Sequence, residues 1–329
     1  MLLVTGGTGF IGSNLVAGLA ARGLGPIAVC DRAGRPGGHR ERNIAKHPVI
    51  DLIRPEDLTD WLAGKAGQVE AVFHMGASSS TTETDLDHLV ANNLGVSLDL
   101  WRWCARHGAR FIYASSAATY GDGAQGFDDA GDLSGLARLR PLNAYGWSKQ
   151  MFDLDAVAMA AMGLQPPQWA GLKFFNVYGP NEYHKAGQRS VAVQLFEQIR
   201  DSGRVRLFRS HRPDYADGGQ LRDFIWVGDC VEVMLWLYDH PGVCGIYNCG
   251  TGRARSFHDL ALACFAALGR EPVIDYIDTP PAIRAHYQYF TEARMERLRG
   301  AGYDRTFTAL EDGVARYICH HLATDDPYR

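Results

Sequence analysis

Met1-Leu-Leu-Val-Thr-Gly-Gly-Thr-Gly-Phe-Ile-Gly12 restricts what this chain can fold into more than any other stretch. Leu2, Leu3 and Val4 make the short apolar run expected of a strand buried on both faces of a parallel sheet. Gly7-x-Gly9-x-x-Gly12 follows at once, and Ser13–Ala21 then reads as a helix with Leu15, Val16 and Leu19 on one face. In that order, strand, glycines and helix form a dinucleotide-binding turn. One glycine makes the turn, one lets backbone approach a pyrophosphate, and one lets helix pack on strand. Gly6, Gly9, Phe10, Ile11 and Gly12 are the expected contacts, because the helix start offers free N–H groups and a positive dipole end. Ile27-Ala-Val-Cys-Asp31 supplies a second strand ending in an acid about 20 residues on, as the pattern requires.

The rest of the chain keeps the same rhythm. Strands are expected at Val49–Leu52, Ala71–Ala77, Arg110–Ala117 and Gly171–Asn176, with helical segments between them, of which Asn92–Cys104 is clearly amphipathic. Successive strand-plus-helix units make an α/β doubly wound parallel (Rossmann) sheet the natural architecture. His74, inside an apolar strand, reads as a core histidine. Tyr120–Arg140 reads as a long loop. After Asn176 the rhythm changes: a helix at Ser190–Ile199, a strand at Val205–Phe208, a loop at Pro213–Gly219 and buried strands at Asp223–Trp226 and Gly245–Cys249. Ser256-x-x-Asp259 and Thr308-x-x-Glu311 read as capping boxes. The expected division is a dinucleotide domain over 1–175, rejoined by about 222–251 and 285–300. A smaller α/β substrate lobe takes 176–221, 252–284 and 301–329.

Charge narrows the partners. The net charge is −4, from 33 basic and 37 acidic residues. No broad basic footprint for nucleic acid or an anionic membrane surface is expected. Seven scattered cysteines without C-x-x-C spacing suit reduced thiols in a cytoplasmic protein. Neither a secretory leader nor a membrane span is expected. Among local charges, Asp31 alone suits a ribose 2′-hydroxyl. Arg32, Arg35 and Arg40 are near enough in sequence to serve a 2′-phosphate, so NADP is favoured over NAD.

The chemistry is expected around Tyr145-Gly-Trp-Ser-Lys149, which places a phenol and an ammonium on one helical face. A free tyrosine has a pKa near 10, so ionising it at pH 7 costs about 4 kcal/mol. A nearby ammonium and a cationic nicotinamide both favour the phenolate, which then serves as base for an alcohol proton. The hydroxyl of Ser116, at a strand end, can hydrogen-bond the same oxygen.

Thr5–Gly12, Ser115-Ser116, Tyr145-x-x-x-Lys149 and Phe175-Asn-Val-Tyr-Gly-Pro180 resemble the extended short-chain dehydrogenase/reductase superfamily. Phe73–Glu83, Tyr113–Gly121, His184-Lys185 and Gly250–Phe257 look, more narrowly, like the ADP-L-glycero-D-manno-heptose 6-epimerase family within it. That resemblance implies a tightly held NADP, transient oxidation of the sugar to a 6″-ketone, and return of the hydride to the opposite face. It thus implies epimerisation of a lipopolysaccharide-core precursor. The hydroxyl points opposite ways in the two epimers, so a second acid/base is needed, and the matching residue is Lys185. The cofactor contacts implied are Asp31, Arg32, Arg54, Met75, Gly76, Ala77, Ser78, Ser79, Asn92 and Lys149, beside the glycine turn. The substrate contacts implied are Ser116, Asn176, Lys185, Gln194, Phe208, Arg209, Ser210, Arg222 and Tyr287, with Arg222 gripping the phosphates bidentately. A homo-oligomer, by resemblance a pentamer, and no metal are expected. Three departures from the pattern are visible: longer stretches at 120–140 and 209–220, and glutamine rather than histidine at 194. Two alternatives stay open, a UDP-hexose 4-epimerase and a non-catalytic NADP-binding sensor. The first has no use for Lys185 as a base. A 4,6-dehydratase would need an acid pair where Ala117-Ala118 stand.

Overall fold

A computed structural model describes every residue except Ala33, Ala285 and His286; the expected domain boundary at 285 therefore lies outside the described residues. Seven strands form one parallel sheet: β1 (Leu2–Thr5), β2 (Ile27–Cys30), β3 (Asp51–Ile53), β4 (Ala71–His74), β5 (Arg110–Ser116), β6 (Trp169–Phe174) and β10 (Gly245–Cys249). Their order is β10-β6-β5-β4-β1-β2-β3. Order reverses between β1 and β4, the switch point where such sheets open a crevice beyond their carboxyl ends. β1, β2, β4 and β6 are buried along their whole length, as their unbroken apolar runs require.

Helix Phe10–Ala21 packs on helix Val227–Asp239. A Cβ at Gly18 would come within 2.5 Å of Val231, so the close approach depends on glycine there. On the other face, Trp101 stands edge-on to Phe111, Phe152 and Trp169, with centroids 5.3–6.1 Å away. Full burial makes Trp101 a heavy contributor. Truncating such a residue to alanine costs about 3–5 kcal/mol.

Phe175 is the only residue between β6 and β7 (Asn176–Tyr178). There the chain leaves the large sheet, for β7 pairs with β9 (Leu221–Trp226), which pairs antiparallel with β11 (Ala254–Ser256). A third sheet pairs β8 (Val205–Phe208) with β12 (Ile274–Ile277). Tyr178, Phe196, Leu260, Phe265, Val314 and Tyr317 belong to a second apolar cluster beside these small sheets. Tyr303 and Leu298 pack instead with the large sheet's core.

Several local expectations change. The 120–140 stretch is not wholly loop: Leu133–Arg138 is helical, with Asp132 accepting from the Gly135 N–H at 2.6 Å. Ser256 and Asp259 do form a capping box. Thr308 does not cap the helix Leu310–Tyr317, because its N–H and hydroxyl are given to Asp229 at 2.7 and 2.9 Å. Glu311 is drawn away in turn, to Arg255. β3 covers Asp51–Ile53 rather than Val49–Leu52, and the Asp51 carboxylate accepts the Trp61 indole N–H. His74 is a core histidine. It hydrogen-bonds Thr5 and Ser97, stacks on Phe111, and burial pushes its pKa down to about 3. Among the described residues no helix is long and apolar enough to cross a membrane.

Candidate active site

A cavity of about 900 Å³ opens at the carboxyl ends of β1, β4, β5 and β6. Its floor is the glycine turn. Gly6 has φ +66°, and a Cβ on Gly12 would meet the Gly6 carbonyl oxygen at 2.2 Å, so both positions exclude a side chain. Gly9 caps the helix Phe10–Ala21 without any side-chain bond, leaving the first-turn N–H groups directed at the cavity's floor. The turn thus fits a pyrophosphate, on backbone grounds independent of any sequence pattern.

Gly6, Gly9, Phe10, Ile11 and Gly12 all border this space, as do Met75, Gly76, Ala77, Ser78 and Ser79 after β4. Asp31, Arg32 and Asn92 close one end. The Asp31 carboxylate is already engaged. It accepts the Thr8 N–H at 3.0 Å and the Thr8 hydroxyl at 2.6 Å, and it pairs with Arg40 at 3.1 Å. Arg40 also lines the cavity. Arg54 does not; it faces solvent, paired with Asp57 and Glu56.

The tyrosine helix, Ala144–Ala161, starts at Asn143, whose side chain accepts the Gly146 N–H at 2.8 Å. Its Tyr145 and Lys149 reach the cavity beside Ser116. Burial raises the phenol's pKa, and hydrogen bonding with Ser116 partly offsets the rise. The Lys149 ammonium donates to the Ala114 carbonyl at 2.8 Å, and burial brings its pKa down to about 8. The expected help from Lys149 in ionising Tyr145 is therefore not what dominates here. The ammonium donates to backbone, and burial raises the phenol's pKa.

Lys185 also lines the cavity, from the six-residue 3₁₀ segment Tyr183–Gln188, which is kinked at Ala186. Its ammonium sits 5.5 Å from the Phe10 ring, and burial lowers its pKa while Glu182 opposes the drop. Glu182 is itself held by the Ser190 hydroxyl at 2.7 Å and the Tyr317 hydroxyl at 3.0 Å. Asn176 also borders the cavity.

Gln194, Phe208, Arg209, Ser210, Arg222 and Tyr287 do not border the cavity. Gln194 donates to the Arg189 carbonyl at 2.8 Å and so fixes a residue that does. Phe208 meets Tyr287 edge-on at 6.1 Å, Arg209 pairs with Asp278, and Ser210 contacts Tyr289. Arg222 is buried between the Phe257 and Tyr287 rings. Its guanidinium donates to the Leu221 and Gln288 carbonyls rather than standing free for a phosphate. This aromatic group adjoins the cavity through Phe257, which lines it.

Two asparagines escaped the sequence reading. Asn93 exchanges hydrogen bonds with the Ser78 backbone at 2.8 and 3.0 Å and donates to Ser148 at 2.9 Å, tying the post-β4 segment to the tyrosine helix. Asn43 donates to the Thr8 carbonyl at 2.9 Å and to the Asn181 carbonyl at 3.0 Å, clasping the glycine turn to the segment carrying Lys185. The polar doublet Asn92-Asn93 inside an amphipathic run was a usable signal for the first. Nothing local marks the second.

Comparisons with known proteins agree with this geometry. Residues 2–250 match the NAD dependent epimerase/dehydratase family. A curated ADP-L-glycero-D-manno-heptose-6-epimerase of Nitratidesulfovibrio vulgaris is 51% identical, covering 100% of both chains. Its namesake in Fusobacterium nucleatum is 44% identical, again over 100% of both. Among solved structures, the Helicobacter pylori ADP-L-glycero-D-manno-heptose-6-epimerase superposes with a TM-score of 0.77 at 27% identity, covering 97% of this chain and 95% of that one. A Thermus thermophilus UDP-glucose 4-epimerase complexed with NAD gives 0.74 at 27% identity, over 95% and 96%.

Proposed function

This chain belongs to the NAD dependent epimerase/dehydratase family, among its ADP-L-glycero-D-manno-heptose-6-epimerases, and from that membership we propose how its residues invert C6″ of an ADP-heptose. The reaction is an isomerisation, with net redox change of zero. One observation carries the mechanism: Tyr145, in the first turn of the tyrosine helix, and Lys185, on a separate segment, line the same cavity. The oxygen stays on its carbon while the hydride leaves one face and returns to the other, so the hydroxyl points opposite ways in the two epimers and needs a proton-handling group for each direction.

The family's dinucleotide, when bound, supplies reversible hydride acceptance and, in its oxidised form, a positive ring charge. The phenol of Tyr145 takes the hydroxyl proton of one epimer, with Ser116 holding the same oxygen. Lys185, kept less basic by burial, serves the other epimer and returns a proton to the oxygen on its side. Lys149, which lines the cavity with Tyr145, would help hold the cofactor there. The environment built by the protein raises rather than lowers the phenol's pKa, so proton removal is coupled to the presence of the cationic ring.

NADP is the preferred form. Asp31 is paired with Arg40 and bonded inward to Thr8, which leaves Arg32, on the cavity wall, as the cation for a 2′-phosphate. Self-association is also proposed. Leu86 and Val90 are exposed, as are Trp147 and Met151 on the tyrosine helix they adjoin, and a partner's copy of that face would cover them. The cytoplasm, where nucleotide sugars are made, is the proposed site of action, in lipopolysaccharide-core precursor synthesis.

Purified protein is expected to interconvert the two 6″-epimers of ADP-glycero-manno-heptose without added cofactor, followed by NMR of the sugar. Interconversion of UDP-glucose and UDP-galactose instead would assign the chain to 4-epimerase chemistry. Mass spectrometry of the released dinucleotide is expected to find NADP; NAD would overturn the 2′-phosphate reading.

A further inference from the structure

Tyr145, Lys149 and Asp153 follow one another at spacings of four on a single face of the tyrosine helix. Each meets the end of β5. Tyr145 lies by Ser116, Lys149 donates to the Ala114 carbonyl, and Asp153 accepts from both the Tyr113 hydroxyl at 2.9 Å and the Ser115 hydroxyl at 2.7 Å. Asp153 also pairs with Lys173 of β6 at 2.6 Å, with both side chains 0% exposed. Lys173 reaches further along the same strand end. It donates to the Thr119 hydroxyl at 2.8 Å, and Thr119 donates to the Ser116 carbonyl at 2.9 Å.

Stability alone does not call for such a pair. Removing two charges from water is costly, and well-packed apolar residues commonly replace a buried ion pair without loss. Its location is informative instead. Apart from the bond between them, the side-chain hydrogen bonds of Asp153 and Lys173 end on β5 or the turn after it, at Tyr113, Ser115 and Thr119, on both sides of Ser116. We propose that Asp153, with Lys173, is a positioning residue for the Ser116, Tyr145 and Lys149 set, fixing the strand end against the helix and placing one buried negative charge behind Lys149. This rests on the site reading above.

The charges around it are few. Lys149 faces His74 of β4 besides Tyr145 and Asp153 of its own helix. Asp153 faces Tyr113, Lys173 and the ring of Tyr120, over which the Lys173 ammonium lies at 5.2 Å. Asp153 supplies the attraction that favours a charged Lys149 against the effect of burial.

Epimerisation rates of Asp153→Asn, Asp153→Glu and the double variant Asp153→Asn/Lys173→Gln, measured from pH 6 to 9, test this. Asp153→Asn is expected to lose about tenfold or more in kcat with little change in KM. Its basic limb should move to lower pH, since the anion favouring the Lys149 cation is gone. Asp153→Glu keeps the charge and should keep the limb in place. The double variant leaves no charge unpaired and so carries the measurement if the single one misfolds; it should recover thermal stability while keeping the shifted limb. A wild-type rate and pH profile in either neutral variant would reduce the pair to a fold brace and overturn the proposal. Near-normal turnover in Tyr145→Phe would instead overturn the site reading itself, whatever Asp153 does.

Discussion

The two proton-handling groups of this site are held by different means. Tyr145 stands in the first turn of an eighteen-residue helix with a capped start, so its direction follows from regular backbone geometry. Lys185 stands in a six-residue turn containing Ala186 at φ +48°, and its place depends on bonds made by neighbours: Glu182 to Ser190 and Tyr317, Asn43 to Asn181. Regular structure aims a side chain through many redundant bonds. An irregular turn does so through a few individually decisive ones. The Lys185 side should therefore be the more easily disturbed by changes away from the chemistry.

The largest effect should come from Tyr145→Phe, which removes an acid/base group and is expected to cost about 10³–10⁴ in kcat. Lys185→Ala should cost about 10²–10³ while dinucleotide still co-purifies, as read by absorbance and NMR turnover. Equal rates for the Lys185 variant and the native enzyme would break the two-sided comparison outright. A pH profile of kcat/KM sharpens it. Lys149, with its pKa lowered to about 8, is charged below that pH and neutral above. The rate should therefore fall about tenfold per unit beyond it if its cation is required. Asn43→Ala loosens the Lys185 side and its tie to the glycine turn, with an expected few-fold loss in kcat and about 1–3 kcal/mol of stability in denaturant unfolding. Smallest is Asn143→Ala, the lost cap of the tyrosine helix, at about 1 kcal/mol with kcat nearly unchanged. A larger catalytic loss from Asn143→Ala than from Asn43→Ala would reverse the ranking of the two sides.

What the sequence announced follows the same divide. The glycine turn, the strands of the parallel sheet and Tyr145 with Lys149 are written in spacings of two to five residues, which local geometry converts directly into shape. The clasp from Asn43 to Asn181 joins positions 138 apart, and neither residue carries a local mark of its partner. Thr308 shows the converse failure. Its spacing to Glu311 satisfies the capping pattern, yet a buried carboxylate at Asp229 offers two hydrogen bonds and wins the hydroxyl. Arg222 fails as a free phosphate ligand for a similar reason. Two backbone carbonyls and two aromatic rings claim its guanidinium first. Burial, invisible in a linear reading, decided each case.

The single-residue step at Phe175 also governs which lengths of chain can change during descent. Its N–H is pinned to the Cys249 carbonyl at 3.1 Å, and the flanking strands are registered to different sheets. One inserted residue there would turn Asn176 away from the cavity, because strand side chains alternate faces. No such penalty attaches to the turns at 122–126 or 211–217, which lie mostly at the surface. Indels between related enzymes should accordingly gather in those turns and spare the 169–178 crossing altogether.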